Sequence, residues 1–193
     1  MNSENQNLSA EQSLDLITQM IRQTQGKVQK SSFYFLLWGW VIAIANIGMY
    51  VTLEFTSYRE YAPFWWLLPI PAWIVTMVYS SKQDKATPAT SHLDRINMWL
   101  WICTGIAILP LVVFGEKINY QINPIVLCLV AIPTFVSGVI MRFKPLLAGG
   151  ISFLVLSVVC FLVDDQTQYL VGGIAMMLGY LVPGYLLKFQ KEQ

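Results

Sequence analysis

Apolar residues in this chain come in six long runs separated by short polar connectors. The runs cover about Phe33–Leu53, Pro63–Tyr79, Met98–Phe114, Pro124–Met141, Leu146–Val163 and Tyr169–Leu187. A helix needs about 20 mainly apolar residues to cross the hydrocarbon core of a bilayer, with a range of roughly 17–25. Each run therefore predicts one transmembrane helix. None contains Asp, Glu, Lys, Arg or His. The connectors between them are too short for anything but antiparallel neighbours. The expected fold is all-α: a polytopic membrane protein with a six-helix up-and-down bundle over residues 31–188, followed by a short tail at 189–193.

A different pattern precedes the first run. Ala10, Leu14, Ile17, Ile21 and Val28 recur at helical spacing, with Leu16 and Met20 widening the stripe. Glu11, Asp15, Gln19, Arg22 and Gln23 lie largely off it. This predicts an amphipathic helix over about Ala10–Gln25 within a segment spanning residues 1–30. Ser9-x-x-Gln12 has the spacing of a capping box at its start, and Gly26 is expected to weaken it just before the membrane. The stripe is a candidate partner-binding face, carried by Leu14, Ile17, Ile21 and Val28. It would serve equally for lying on lipid headgroups or pairing with a second copy.

Charge orients this plan. Arg22, Lys27, Lys30, Lys82, Lys85, Arg95, Arg142, Lys144, Lys188 and Lys191 fall on the side of the two chain ends, against only Arg59 and Lys117 on the other. The acidic residues divide six to five. A bias confined to Lys and Arg is the positive-inside signature and predicts that both termini are cytoplasmic. Two aromatic belts agree with it. Tyr34, Trp38, Trp40, Tyr79, Trp99, Trp101 and Tyr185 lie toward one interface, and Tyr50, Tyr58, Tyr61, Trp65, Trp66, Tyr120 and Tyr169 toward the other. Trp73 sits deeper.

Composition then narrows the chemistry. Only 12% of residues are charged and 55% are hydrophobic, with mean hydropathy +0.53, where soluble domains carry roughly 25% charged residues. A net charge of +1 gives no field for nucleic acid, which is not expected as a partner. Cys103, Cys128 and Cys160 lie in apolar runs without C-x-x-C spacing and read as packing residues. His92, the only histidine, stands beside Asp94 and Arg95 in the connector Ser80–Asn97 and has no nameable catalytic partner. No Walker, H-E-x-x-H, G-x-S-x-G or G-x-G-x-x-G motif occurs, so neither catalytic residues nor cofactor or metal sites are expected and the chain is not read as an enzyme.

Three polar or small-residue features stand out. Asn46 is the most polar side chain inside a run; it either lines a cavity or joins two helices. Asp164 and Asp165 adjoin at the far end of the fifth run, where Glu54, Glu60 and Glu116 could add oxygen ligands for a cation; hydrated acids ending a helix are the plainer reading. Gly39-x-x-x-Ala43, Ala148-x-x-x-Ser152 and Ala175-x-x-x-Gly179 permit close helix approach, and Leu147-Ala-Gly-Gly-Ile151 is echoed by Leu170-Val-Gly-Gly-Ile174. Tight packing of the fifth and sixth spans is expected from these.

Ser32-Phe-Tyr-Phe-Leu-Leu-Trp-Gly-Trp40, Arg142-Phe-Lys-Pro-Leu-Leu-Ala-Gly-Gly150 and Gly179-Tyr-Leu-Val-Pro-Gly-Tyr-Leu-Leu187 together resemble small six-span inner-membrane proteins of Bacteroidota-type bacteria that carry no assigned activity. The resemblance implies a multi-pass protein of the bacterial inner membrane and carries no functional residues over. The expected function is association in the membrane: a sensor, regulator or accessory subunit, with the lipid bilayer, a protein partner on the cytoplasmic face or a second copy as partners. The alternative is a small transporter or permease subunit served by a separate ATPase, with Ser80–Asn97 as its coupling segment.

Overall fold

The computed structural model describes residues 10–86 and 92–189, with side chains described for 31–82 and 92–189. Among these residues the fold is entirely helical. The elements are α1 (Ala10–Phe55), a 3-10 segment (Arg59–Leu67), α2 (Pro69–Ala86), α3 (His92–Val113), a short 3-10 turn (Gly115–Ile118), α4 (Ile122–Ile140), α5 (Lys144–Leu162), α6 (Thr167–Met176), a π segment (Met177–Leu181) and α7 (Val182–Phe189). Six stretches are long and apolar enough to cross a membrane, beginning at Ser31, Arg59, His92, Ile122, Lys144 and Thr167. The chain is thus a multi-pass membrane protein by helix length and composition.

Two elements depart from the expected plan. α1 is one helix of 46 residues, so the segment expected to end near Gln25 continues through Gly26 into the first span. One glycine costs about 1 kcal/mol in a helix, which the long apolar run on one side of Gly26 evidently outweighs. The side chains of Leu14, Ile17, Ile21 and Val28 lie outside the described residues, as do Ser9, the Thr87–Ser91 turn and the tail beyond Phe189. The expected connector Ser80–Asn97 is mostly helix, since α2 runs to Ala86 and α3 starts at His92.

The second span is broken. Its first part is 3-10 helix containing Pro63, and the α-helix starts only at Pro69. Pro69 and Pro71 lack the N–H groups that a continuous helix would need, but suit the first turn of a new one. The sixth span carries a related irregularity. Pro183 cannot donate to the carbonyl of Gly179, and the helix widens just before it; the N–H of Val182 reaches back five residues to Met177 O.

The spans are not equally buried. In the fourth and sixth, 56% of the most apolar window is buried, against 11% and 6% in the second and third. The first, fourth, fifth and sixth spans share one core around Ala43, Leu127, Leu146, Phe153, Ala175 and Tyr180. The second leans on its outside through Trp65 on Gly48, the third through Trp101, which packs near Tyr180 and donates to Ser137, and Trp73 on Gly105 joins the two outer spans.

Glycine sets the closest approaches. An ideal Cβ on Gly149 of α5 would stand 2.5 Å from the carbonyl oxygen of Gly179, and one on Gly179 would overlap the edge of the Phe153 ring. The tight packing expected between the fifth and sixth spans is therefore present. In the α4–α5 hairpin, a Cβ on Gly138 would be 2.8 Å from the Leu147 nitrogen. Arg142 turns that corner at φ 51°, with Phe143 N donating to Gly138 O and Arg142 N to Val139 O. This is the Schellman arrangement, with arginine where glycine is usual.

Candidate functional site at the far end of the bundle

Polar side chains in the spans collect at two levels. On the side of the chain ends, Ser32 Oγ donates to Gly184 O (3.0 Å), Trp40 Nε1 to Tyr185 Oη (3.2 Å) and Trp38 Nε1 to Thr76 Oγ1 (3.1 Å). Deeper, Ser137 Oγ donates to Asn97 Oδ1 (2.8 Å) and accepts from Trp101 Nε1 (3.2 Å). Thr134 donates to Val130 O and meets the Tyr180 hydroxyl at 3.2 Å. Because that threonine proton is committed to Val130, the tyrosine is the donor between them. Each of these bonds joins helices or repairs backbone, and Tyr180 is enclosed by the rings of Phe35, Trp101 and Phe153.

The second collection lies at the opposite end, where α4 and α6 begin and α5 ends. Asn123, in the first turn of α4, is its hub. Its Nδ2 donates to Asn46 Oδ1 at 2.9 Å and to the backbone carbonyl of Gln168 at 3.0 Å, so one amide ties three spans together. Asn46 completes the chain by donating to Ile42 O one turn back (2.9 Å). Gly172 makes room for the pair: a Cβ there would sit 2.7 Å from Asn46 Oδ1. Ser157 fastens α5 to the same region by donating to Pro124 O (2.7 Å). Asn46 thus stands in a hydrogen-bonded helix junction.

Around the junction, two side chains converge on one carboxylate. Gln121 Nε2 and Gln168 Nε2 both donate to Asp165 Oδ1, at 3.3 and 3.2 Å. Gln168 is almost wholly buried, at 1% exposure. The Oε1 atoms of Gln121 and Gln168 are buried and have no hydrogen-bond partner among the described residues. The approach to α4 is bent: Asn119 and Tyr120 are left-handed at φ 50° and 57°, and Ile122 N returns to Tyr120 O across Gln121. Such a turn is uncommon without glycine, and here it presents Gln121 to Asp165.

The neighbouring acid does different work. Asp164 Oδ2 accepts the Thr167 backbone N–H at 2.9 Å and caps the start of α6. That bond first, and one from the Thr167 hydroxyl second, hold its carboxyl below the usual carboxylate range. Folding lowers this pKa, so the stabilisation is complete above the unfolded value of about 3.9 and is lost as pH falls through the folded value. We expect Asp164→Asn, which keeps a capping oxygen, to leave thermal stability near pH 7 almost unchanged and to flatten its decline on acidification below about pH 4. Unfolding midpoints of both proteins across that range provide the check.

Adjacent in sequence, the two aspartates are thus separated in role, one capping and one gathering amides. Glu54, Glu60 and Glu116 do not join them: no group of three or more His, Cys, Asp or Glu side chains suited to a metal occurs among the described residues. His92 is exposed at the start of α3. The residues that sequence reading missed are Asn123, Gln168 and Gln121, all at span boundaries where polar residues are ordinary. The signal available for them was Asn46 itself, since an amide in an apolar span requires a partner at the same depth on another helix.

No family model, curated protein or solved structure matches this chain.

Proposed function

We propose that this chain is a non-enzymatic integral membrane protein of the bacterial inner membrane that acts by association, as a sensor, regulator or accessory subunit, with both termini cytoplasmic. The observation that carries this reading is the continuity of α1. The helix begins at Ala10 and the first span at Ser31. At 1.5 Å per residue the 21 residues before the span are about 30 Å of helix. An uninterrupted helix carries its direction past the membrane surface and forms an arm. In sequence, Leu14, Ile17, Ile21 and Val28 fall three, four and seven residues apart, the three-four step of a coiled-coil seam. The arm suits pairing with a second copy.

Packing at mid-depth favours association over transport. Phe153 is fully buried, Ala43 and Ala131 are 1% exposed, and Gly149 abuts Gly179, so the centre of the four-span core is filled by side chains. The test is crosslinking of the full chain in lipid nanodiscs. We expect a dimer that is lost on deleting residues 1–25 or on the double substitution Ile17→Glu and Ile21→Glu, with membrane insertion retained. Crosslinking that survives both changes would overturn the arm as the point of association.

A further inference from the structure

We propose that Gln121, Asp165 and Gln168 form a binding site for a monovalent alkali metal ion at the far end of the bundle. The inference is independent of the reading of α1.

Its starting point is the pair of orphaned oxygens. A buried acceptor without a partner costs about 1–3 kcal/mol, and here two occur on neighbouring side chains that share a carboxylate. The amide orientation is set by that carboxylate, which accepts and cannot donate. With both Nε2 groups committed to Asp165 Oδ1, each Oε1 is the atom left over. A side-chain amide places its oxygen about 2.2 Å from its nitrogen, so each orphan lies within about 5.5 Å of Asp165 Oδ1. The site offers a carboxylate and two neutral carbonyls. It offers acceptors to whatever enters, and so calls for a cation or a donor.

Size and charge narrow the choice. The two amide oxygens are buried, and Gln168 is enclosed at 1% exposure, so the occupant that reaches them is small. Asp165 is exposed and provides the entrance. A divalent ion asks for six or more oxygens, usually including several carboxylates. Asp164 is turned to the Thr167 N–H, and the site has no further carboxylate among the described residues. The positive ends of α4 and α6 point toward the site and oppose a cation, each worth about half a charge. The two aspartates outweigh them, and the negative end of α5, finishing at Leu162, adds to the same side. The balance is about one and a half negative charges, and with one carboxylate facing the two amide oxygens it suits a monovalent ion better than a divalent one.

The full chain in detergent or nanodiscs, unfolded thermally in sodium, potassium or choline chloride at equal ionic strength, tests this. Choline carries the charge without being able to enter. We expect sodium or potassium to raise the midpoint by about 3 °C over choline, saturating with concentration. The increment should vanish in Asp165→Asn and shrink in Gln121→Ala. Gln121 is only half-buried and lies outside the core, so that variant serves if Asp165→Asn fails to fold. Equal midpoints in all three salts would overturn the proposal, as would an alkali-ion increment that both variants retain. Water alone at the two oxygens gives the first of these results.

Discussion

Replacing Gly149 by alanine is expected to destabilise the bundle by about 2–3 kcal/mol, the upper part of the range for adding a methyl group to a filled core. The new Cβ would stand 2.5 Å from Gly179 O and 3.2 Å from its Cα, and both are backbone atoms of the sixth span. Relief requires moving that span away from α5. Gly179→Ala meets a different obstacle, since its Cβ would fall on the ring of Phe153. That ring has nowhere to turn, because Phe153 is fully buried and packs edge-on against Tyr180 with ring centres 5.0 Å apart. A smaller side chain at residue 153 should therefore accommodate it. Phe153→Leu is expected to recover much of the loss from Gly179→Ala and almost none of the loss from Gly149→Ala. Gly105→Ala is the control, as its Cβ would meet only Trp73, at 3.2 Å, on a lightly buried span. Equilibrium unfolding in mixed micelles measures all four. A Gly149→Ala protein as stable as the parent would show that the fifth and sixth spans are not in backbone contact.

The same glycines mark how far the sequence could be read. Six apolar runs without a charge gave the number of spans, because a bilayer imposes length and composition on every helix that crosses it. The small-residue motifs gave the contact of the fifth span with the sixth, because only small side chains let helix backbones meet. They also carried more than was drawn from them. Gly39, Gly149, Gly172, Gly173 and Gly179 all lie at core contacts, whereas the second and third spans contribute one close glycine, Gly105. Which spans form the core and which lean on it was thus partly written in glycine placement.

The rest was hidden for physical reasons. Pro69 and Pro71 were compatible with either a kinked span or a fresh helix start, and the choice depends on how Trp65 packs on Gly48 and donates to Thr52 Oγ1 (3.0 Å). Gly26 was expected to weaken the helix before the membrane, yet one weak helix former does not stop a helix that a membrane span propagates. The amide junction escaped because hydrogen bonding between spans depends on depth and azimuth. Asn46 lies well inside its span and Asn123 and Gln168 near the starts of theirs. They meet because α1 continues to Phe55, beyond the level at which α4 and α6 begin.

That junction carries the second large expected effect. Asn123→Ala should destabilise the protein by about 2 kcal/mol, toward the upper end for polar contacts between membrane helices. The reason for a value above the average is that one lost side chain removes two interhelical bonds and leaves the Asn46 oxygen without a donor. Asn46 Oδ1 loses its donor, while the Gln168 carbonyl loses its bond to α4 but keeps its place in the α6 helix ladder and the long contact from Cys160 Sγ at 3.6 Å. Asn46→Ala should cost less, because it removes one of the two acceptors and leaves Asn123 bonded to Gln168 O. In the double variant the Asn46 oxygen is no longer stranded, so the two losses should add to less than their sum. A coupling of about 1 kcal/mol is expected between these contacting residues. Strict additivity would mean that the amides do not bond across the first and fourth spans. The position of Gly172 supplies an independent reading of the same pair. Its missing Cβ is 2.7 Å from Asn46 Oδ1 and 3.0 Å from Asn123 Nδ2. Gly172→Ala should therefore be harmful in the parent and much less so once Asn46 and Asn123 are both alanine, whereas a clash with the backbone of α1 or α4 would persist in that background.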